Sequence, residues 1–367
     1  MTDTAAHFAA DPAQGTPRWP RVRRDDAALE ATDRLLAALP KVELHTHLAG
    51  NVPEWLFAET ARRYGIPLDH PEQPYSFVAG MVGFLKLFDQ VADTFRTPDD
   101  LYRASYESLV AERQSSRLRY REVHYSPTIN PHVGYADAVT AIGEGIEAAR
   151  RDHGVDGRIV VAIYRNQGPE VAERLVEEMI AHPTAHVVGL GMEADETVGP
   201  TPLFHRAYLR ARDAGIRVTA HVGERGDVGE VLYAVDELKV DRLDHAYALA
   251  FDPGAAAHVA DRGLHLASAW ASAKVHFPRG IDNPLRTLID SPLDISISSD
   301  DPGINRVTLD SELREAAVEL ELPDDYLTHQ NSAQLDAAWI DDATRAEIRA
   351  EIDAALSALE PENQEQQ

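Results

Sequence analysis

Short apolar strands alternate with amphipathic helices through most of this chain, and that alternation constrains the fold more than any other feature. Tyr120–Ser126 alternates like a strand and Ala136–Arg150 carries a helical period. The pattern repeats as strand Arg158–Tyr164 and helix Val171–Ala181, then strand Val187–Met192 and helix Phe204–Ala214. Strand Arg217–His221 precedes helical Gly229–Leu238, and the short strand Asp241–His245 precedes Gly254–Asp261. Leu264–Ala267, a helix near Leu285–Ser291 and the strand Ile295–Ser299 complete it. With an earlier strand starting at Lys41, the count is eight. Such alternation implies a parallel sheet. Eight units in 367 residues suggest an α/β fold closed as a (β/α)8 TIM barrel rather than an open sheet.

Extra helices surround this pattern. Pro53–Ala58 reads as helical with proline near its start, and Leu309–Leu359 as helices that close the structure. Gly80–Phe95 reads as an apolar helix carrying Phe84, Leu85 and Phe88, a cluster expected as core, with a substrate lid as the alternative. Residues 1–35, punctuated by Pro12, Pro17 and Pro20, read as a flexible arm whose basic cluster Arg21–Arg24 is solvated. Residues 36–359 form one catalytic domain and 360–367 a polar tail.

Formal net charge is −26, which argues against non-specific binding to nucleic acid or to an anionic membrane. No cysteine is present, so disulfides and thiolate metal sites are excluded. No run is apolar and long enough to span a bilayer, and Met1–Arg34 lacks the apolar core of a secretory signal. A cytoplasmic enzyme is the default expectation.

In a barrel, catalytic groups stand at the C-terminal ends of strands. The first strand, in Lys41–Gly50, ends in His45 and His47, which as i and i+2 share a face. The fifth leads into His221-Val222-Gly223-Glu224, the sixth ends in Asp244-His245, and the eighth in Ser299-Asp300-Asp301. Each residue alone reads as a hydrogen-bonded loop residue; together, three imidazoles and a carboxylate suit Zn2+. A fourth imidazole, a glutamate and a second aspartate remain for acid–base work.

These stretches resemble the motifs of the adenosine deaminase family within the amidohydrolase superfamily. Pro40–Leu48 resembles its opening motif, His221–Glu224 its His-Ala-Gly-Glu, Arg242–His245 its Arg-x-Gly-His and Ser299–Pro302 its Thr-Asp-Asp-Pro. The resemblance extends to Gly83–Phe88, Tyr125–Pro127, Asp195–Thr197 and Asn331–Ala333, covering roughly 36–355. It implies one Zn2+ per chain held by His45, His47, His221 and Asp300, with Asp300 also counted as catalytic. Glu224 would protonate a ring nitrogen, His245 would hold the attacking water, and Asp301 would hydrogen-bond the five-membered ring of a purine. Cysteine-ligated base deaminases are excluded by composition. Neither Arg158–Tyr164 nor Val187–Met192 offers a lysine for a bridged two-metal site, so a mononuclear site is expected.

Three departures bear on the substrate. Ala49 stands where the family's adenosine deaminases carry an acidic residue that grips the ribose 5′-hydroxyl. Ala194 replaces the glycine whose backbone N–H meets the purine, with Glu193 adding charge beside it. Ala267–Ser272 lacks the usual Cys-Pro pair. The resemblance implies a 6-aminopurine substrate, adenosine-like, while Ala49 implies that unmodified adenosine is not the best one. The alternatives are adenine, a 5′-modified adenosine such as aminodeoxyfutalosine, or another aminated heterocycle; a catalytically silent metal-binding relative is a further reading. Oligomeric state is not legible.

Overall fold

The computed structural model describes residues 18–77, 80–277 and 283–359. All strand pairing within them is parallel. Strands β1 (Lys41–His47), β2 (Leu118–Tyr125), β3 (Asp156–Tyr164), β4 (Val187–Glu193) and β5 (Arg217–Val218) are hydrogen-bonded in that order. So are β6 (His221–Val222), β7 (Arg242–His245), β8 (His265–Ala269) and β9 (Asp294–Ser298).

The expected strand Arg217–His221 is split, because regular pairing lapses at Thr219 and Ala220. Continuity survives the lapse: Thr219 N donates to Leu190 O at 2.9 Å and Asp244 N to Ala220 O at 3.0 Å. β5 and β6 are thus halves of one barrel strand, and eight barrel strands result. At the other seam a parallel bridge joins Thr46 to Asp300. There His47 N donates to Asp300 O (3.2 Å) and Asp300 N to His45 O (3.3 Å).

Elsewhere along that seam, side chains of the helix Asp324–Ala337 take over from the sheet. Asn331 Oδ1 accepts from Val42 N (3.0 Å), Gln334 Oε1 from Leu44 N (3.1 Å), and Gln330 Oε1 from Ile297 N (3.1 Å). Buried backbone donors need partners, and these three amides close the barrel where β1 and β9 diverge.

The helices follow local rules. Pro98–Ser116 starts on a Thr97–Asp100 capping box with proline in the first turn. Tyr135–His153 ends on Gly154 at φ 67°. The core runs between the helices and the outer faces of the strands, with Ile142, Ile159, Val161, Leu190, Phe204 and Val218 among its members. No helix among the described residues is long and apolar enough to cross a membrane.

The arm expected at 1–35 is partly structured. Asp26–Ala38 is a helix, with Asp25 as N-cap accepting from Ala28 N at 2.9 Å. Within the basic cluster, Arg24 is not solvated: it donates to Ala317 O (2.8 Å) and Asp324 (2.9 Å), with its side chain 2% exposed. Only Thr32, Leu35 and Leu36 of that helix are buried, which is why its period was faint in the sequence. The remainder of the expected arm, residues 1–17, and the expected tail, 360–367, lie outside the described residues.

Candidate active site

Four strand ends deliver the polar groups. His45, His47, His221 and Asp300 each bring one ligand atom to a spot where all four atoms lie within 4.8 Å of one another, and all four residues are buried. Two of the three imidazoles have their outward nitrogen hydrogen-bonded. His45 Nδ1 donates to Ala267 O at 2.7 Å, which leaves Nε2 buried without a hydrogen-bond partner. His47 Nδ1 donates to Glu193 Oε2 at 2.7 Å, and its Nε2 faces Asp300 Oδ1 at 3.1 Å and His221 Nε2 at 3.2 Å. Behind His221, Asp244 Oδ2 lies 3.4 Å from Nδ1 and is anchored by the Thr219 hydroxyl at 2.9 Å.

Imidazole lone pairs facing each other and a carboxylate in a buried space call for a cation. Burial alone would lower the His47 pKa, yet Asp301, Glu193 and Asp300 hold it well above its ordinary value. Burial also opposes the charge on His45, and Asp300 overrides it in the same way. In electrostatic terms the pocket is built for positive charge, and its donor set fits a divalent metal ion.

The backbone is strained where the site is built. Asp300 (φ 62°), His245 (φ 63°) and Ala194 (φ 76°) adopt left-handed conformations that side chains with a Cβ disfavour. This turns Asp300 off the end of β9 toward His45 and His47. Its neighbour Asp301 is seated against Gly50, where an added Cβ would lie 1.8 Å from Asp301 Oδ1. That oxygen is buried without a partner, and burial together with the Asp300 charge raises the Asp301 pKa well above its ordinary value.

Glu224 sits on a loop clamped by Glu196, whose carboxylate accepts from Gly223 N (2.8 Å) and Arg225 N (2.7 Å). Its Oε1 lies 3.7 Å from His245 Nε2, and its Oε2 3.2 Å from His276 Nε2. His245 Nδ1 donates to the Tyr247 oxygen at 3.0 Å, and the Tyr247 hydroxyl donates on to Ala269 O at 2.8 Å. The lone pair of His245 Nε2 thus faces the cavity, and burial holds its pKa well below the usual value despite Glu224.

A cavity of about 390 Å³ opens above these groups. Its wall includes His47, His221, Glu224, His245, Asp300, Asp301, Ala194, Phe84, Leu85 and Phe88. Phe84 and Leu85 are half-buried wall residues rather than core; only Phe88 of the three is fully packed. Ala49 is not in the wall, being 5% exposed and packed in the core. Glu193 does not present a free charge to the cavity, because His47 and Ser126 (2.5 Å) engage both its oxygens.

The sequence reading missed Glu193 as the partner of His47, Tyr247 as the anchor of His245, and His276. Glu193 stands at a strand end and could have been found there; His276 lies on the helix Trp270–His276, away from any strand end, and left no such signal. Outer partners of metal-bound histidines are commonly worth about 10- to 100-fold in metal affinity. Glu193→Gln is expected to weaken metal binding by that factor, as read by competition with a chromophoric chelator, with the melting temperature of the metal-free protein little changed. Unaltered affinity would mean that Ser126 and burial orient His47 without the carboxylate.

A parallel α/β barrel with a buried three-histidine, one-aspartate cluster at its strand ends defines an amidohydrolase-type metal-binding enzyme. The sequence model described as adenosine deaminase matches residues 40–355. The chain belongs to the adenosine deaminase family, hydrolytic deaminases acting on C–N bonds. An adenine deaminase of Sinorhizobium medicae is 30% identical over 323 residues, 87% of this chain and 99% of that one. An adenine deaminase of Rhizobium johnstonii is 31% identical over 319 residues, covering 86% and 99%. The crystal structure of an amidohydrolase from Burkholderia ambifaria, with bound zinc, superposes with TM-score 0.83 at 32% identity, covering 94% of this chain and 99% of that one.

Proposed function

We propose that this chain is a zinc-dependent hydrolytic deaminase of an uncharged 6-aminopurine, free adenine first, which yields the 6-oxopurine and ammonia. The observation that carries the reading is the convergence of Glu224, His245 and Asp301 on one cavity beside the metal-ligating cluster. Three imidazoles and a carboxylate are a zinc set, and the similar Burkholderia structure contains zinc. His45, His47, His221 and Asp300 would hold the ion, which when bound lowers the pKa of water toward ~7 and supplies the nucleophile.

The rest falls to the chain's own side chains. His245, neutral with its Nε2 lone pair inward, accepts the proton of the attacking water. Glu224 delivers a proton to the ring nitrogen adjoining the carbon that loses its amine. Asp301, in the cavity wall with a buried, unpartnered Oδ1, hydrogen-bonds a nitrogen of the five-membered ring. Phe84 and Phe88, with ring centroids 6.0 Å apart, offer an aromatic wall that displaces water from the purine face.

Two features support an uncharged substrate. The described cavity wall holds four carboxylates and no lysine or arginine, which disfavours a nucleotide phosphate there. By the family resemblance, the residue that would grip a ribose 5′-hydroxyl with a carboxylate is replaced by Ala49, which is packed in the core. A hydrogen bond to a charged group is worth about 1.5–3 kcal/mol, so adenosine should fall about ten- to a hundredfold in kcat/KM below the best substrate. A free base loses nothing by that absence. The test compares kcat/KM for adenine, adenosine, 5′-deoxyadenosine, a 5′-substituted adenosine and AMP on one preparation. Adenosine outrunning the others, and 5′-deoxyadenosine by about tenfold or more, would show that the 5′-hydroxyl is read after all. Release of ammonia from none of them would remove the aminopurine reading.

A further inference from the structure

We propose that His276 is a positioning residue that orients Glu224 and keeps it supplied with a proton, so that the acid of the reaction is a carboxyl–imidazole pair rather than a lone carboxyl group. Given the deaminase reading on which this rests, Glu224 faces a conflict of charge. It must deliver a proton, yet the His276 imidazole, 3.2 Å from its Oε2, favours the charged carboxylate over the acid. His245 cannot supply that proton before water attacks, since burial keeps it neutral until then.

His276 can. It is the last residue of the helix Trp270–His276, lies in the cavity wall, and has a side chain only 10% exposed. Its Nε2 is 3.2 Å from Glu224 Oε2. Burial lowers the His276 pKa, but the hydrogen bond and charge of Glu224, with Asp300 and Glu196 behind, raise it above the ordinary value. Facing Glu224 itself are His245, His276, His221, Glu196 and Arg165. In this pair one proton is shared across the 3.2 Å contact, favoured on the imidazole by the carboxylate beside it. The N–H of His276 fixes Oε2 and leaves Oε1 directed at His245.

When a ring nitrogen comes within reach, the pair gives that nitrogen a proton through the carboxyl, while the π electrons of the adjoining C=N bond move onto the nitrogen. The water consumed brings two protons. One restores the pair and the other leaves on ammonia, so the cycle closes without a further reactant.

The first arm of the test needs no substrate. In metal-loaded, histidine-labelled protein, the His276 titration midpoint is followed by NMR in wild type and in Glu224→Gln. Loss of the carboxylate should lower the midpoint by about one unit or more; an unchanged midpoint overturns the pair. The second arm measures kcat, KM and the pH profile of His276→Gln and His276→Phe. The expected result is a kcat lower by about tenfold or more with KM little changed, and an alkaline limb moved to lower pH because the reservoir is gone. Should His276→Phe fail to fold, His276→Gln, which keeps an N–H donor, carries this arm. Wild-type rates and profiles overturn the proposal. A wild-type protein that deaminates no aminopurine would fail the functional reading instead, with the NMR arm still deciding the pair.

Discussion

Glu224→Gln is expected to retain its metal and its melting temperature and to lose about 100- to 10,000-fold in kcat, the range of a general acid–base group. Glutamine has the shape of glutamate, and its amide oxygen can still accept from His276 Nε2, which lies 3.2 Å from the carboxylate now. The loop should keep its course, because its anchors are elsewhere: Glu196 on Gly223 N and Arg225 N, and the left-handed turn of Gly223 at φ 66°. The Arg165 guanidinium also donates to His221 O at the start of this segment. What glutamine lacks is an acidic proton for the ring nitrogen. KM should change much less than kcat, since the missing interaction develops only as the ring loses aromaticity. Initial rates of ammonia release, metal content and a thermal melt on one preparation check this. A near-normal rate with the metal retained would reduce Glu224 to a hydrogen-bond partner of its own loop.

The barrel and the gathering of His45, His47, His221 and Asp300 were legible in the sequence for the same physical reason. A strand repeats every two residues, so His45 and His47 had to share a face, and a parallel barrel gathers strand ends on one rim. His221, His245 and Asp300 then had only one place to go. What stayed hidden depends on packing across distant segments. That Asn331, Gln334 and Gln330 would close the β1–β9 seam has no local signature, since each amide satisfies a backbone group some 30 or more residues away. The split at Thr219 was invisible because the apolar pattern runs through it. Glu193 was read as a charge added to the substrate shell, whereas its oxygens are turned to His47 and Ser126, a direction that periodicity does not fix. Gly50 shows the same limit: its need to lack a side chain arises from Asp301, 251 positions away by the difference of their residue numbers.

His221→Ala is expected to lose the metal and with it all measurable turnover. His221 belongs to two groupings, the cluster with His45, His47 and Asp300 and a second with His124 and Asp244. Its nitrogens are divided between them: Nε2 faces His47 Nε2 at 3.2 Å, and Nδ1 faces Asp244 Oδ2 at 3.4 Å. The second grouping reads as support for the first. His124 Nδ1 lies 3.3 Å from Thr46 O, burial lowers its pKa to about 4, and Asp244 stands behind His221 as an orienting carboxylate. One metal per chain is therefore expected in wild type and in His124→Ala, and well under one in His221→Ala after dialysis against a chelator. Protons compete for the same nitrogens, and His47, its pKa held up by Asp301, Glu193 and Asp300, competes hardest. Apparent metal affinity should fall as pH is lowered. Loss of the ion should also lower the melting temperature, because saturation at 100 times Kd stabilises a fold by about 2.7 kcal/mol. Two equivalents of metal in wild type, one of them lost in His124→Ala, would show that His221 bridges two ions and that the site is binuclear.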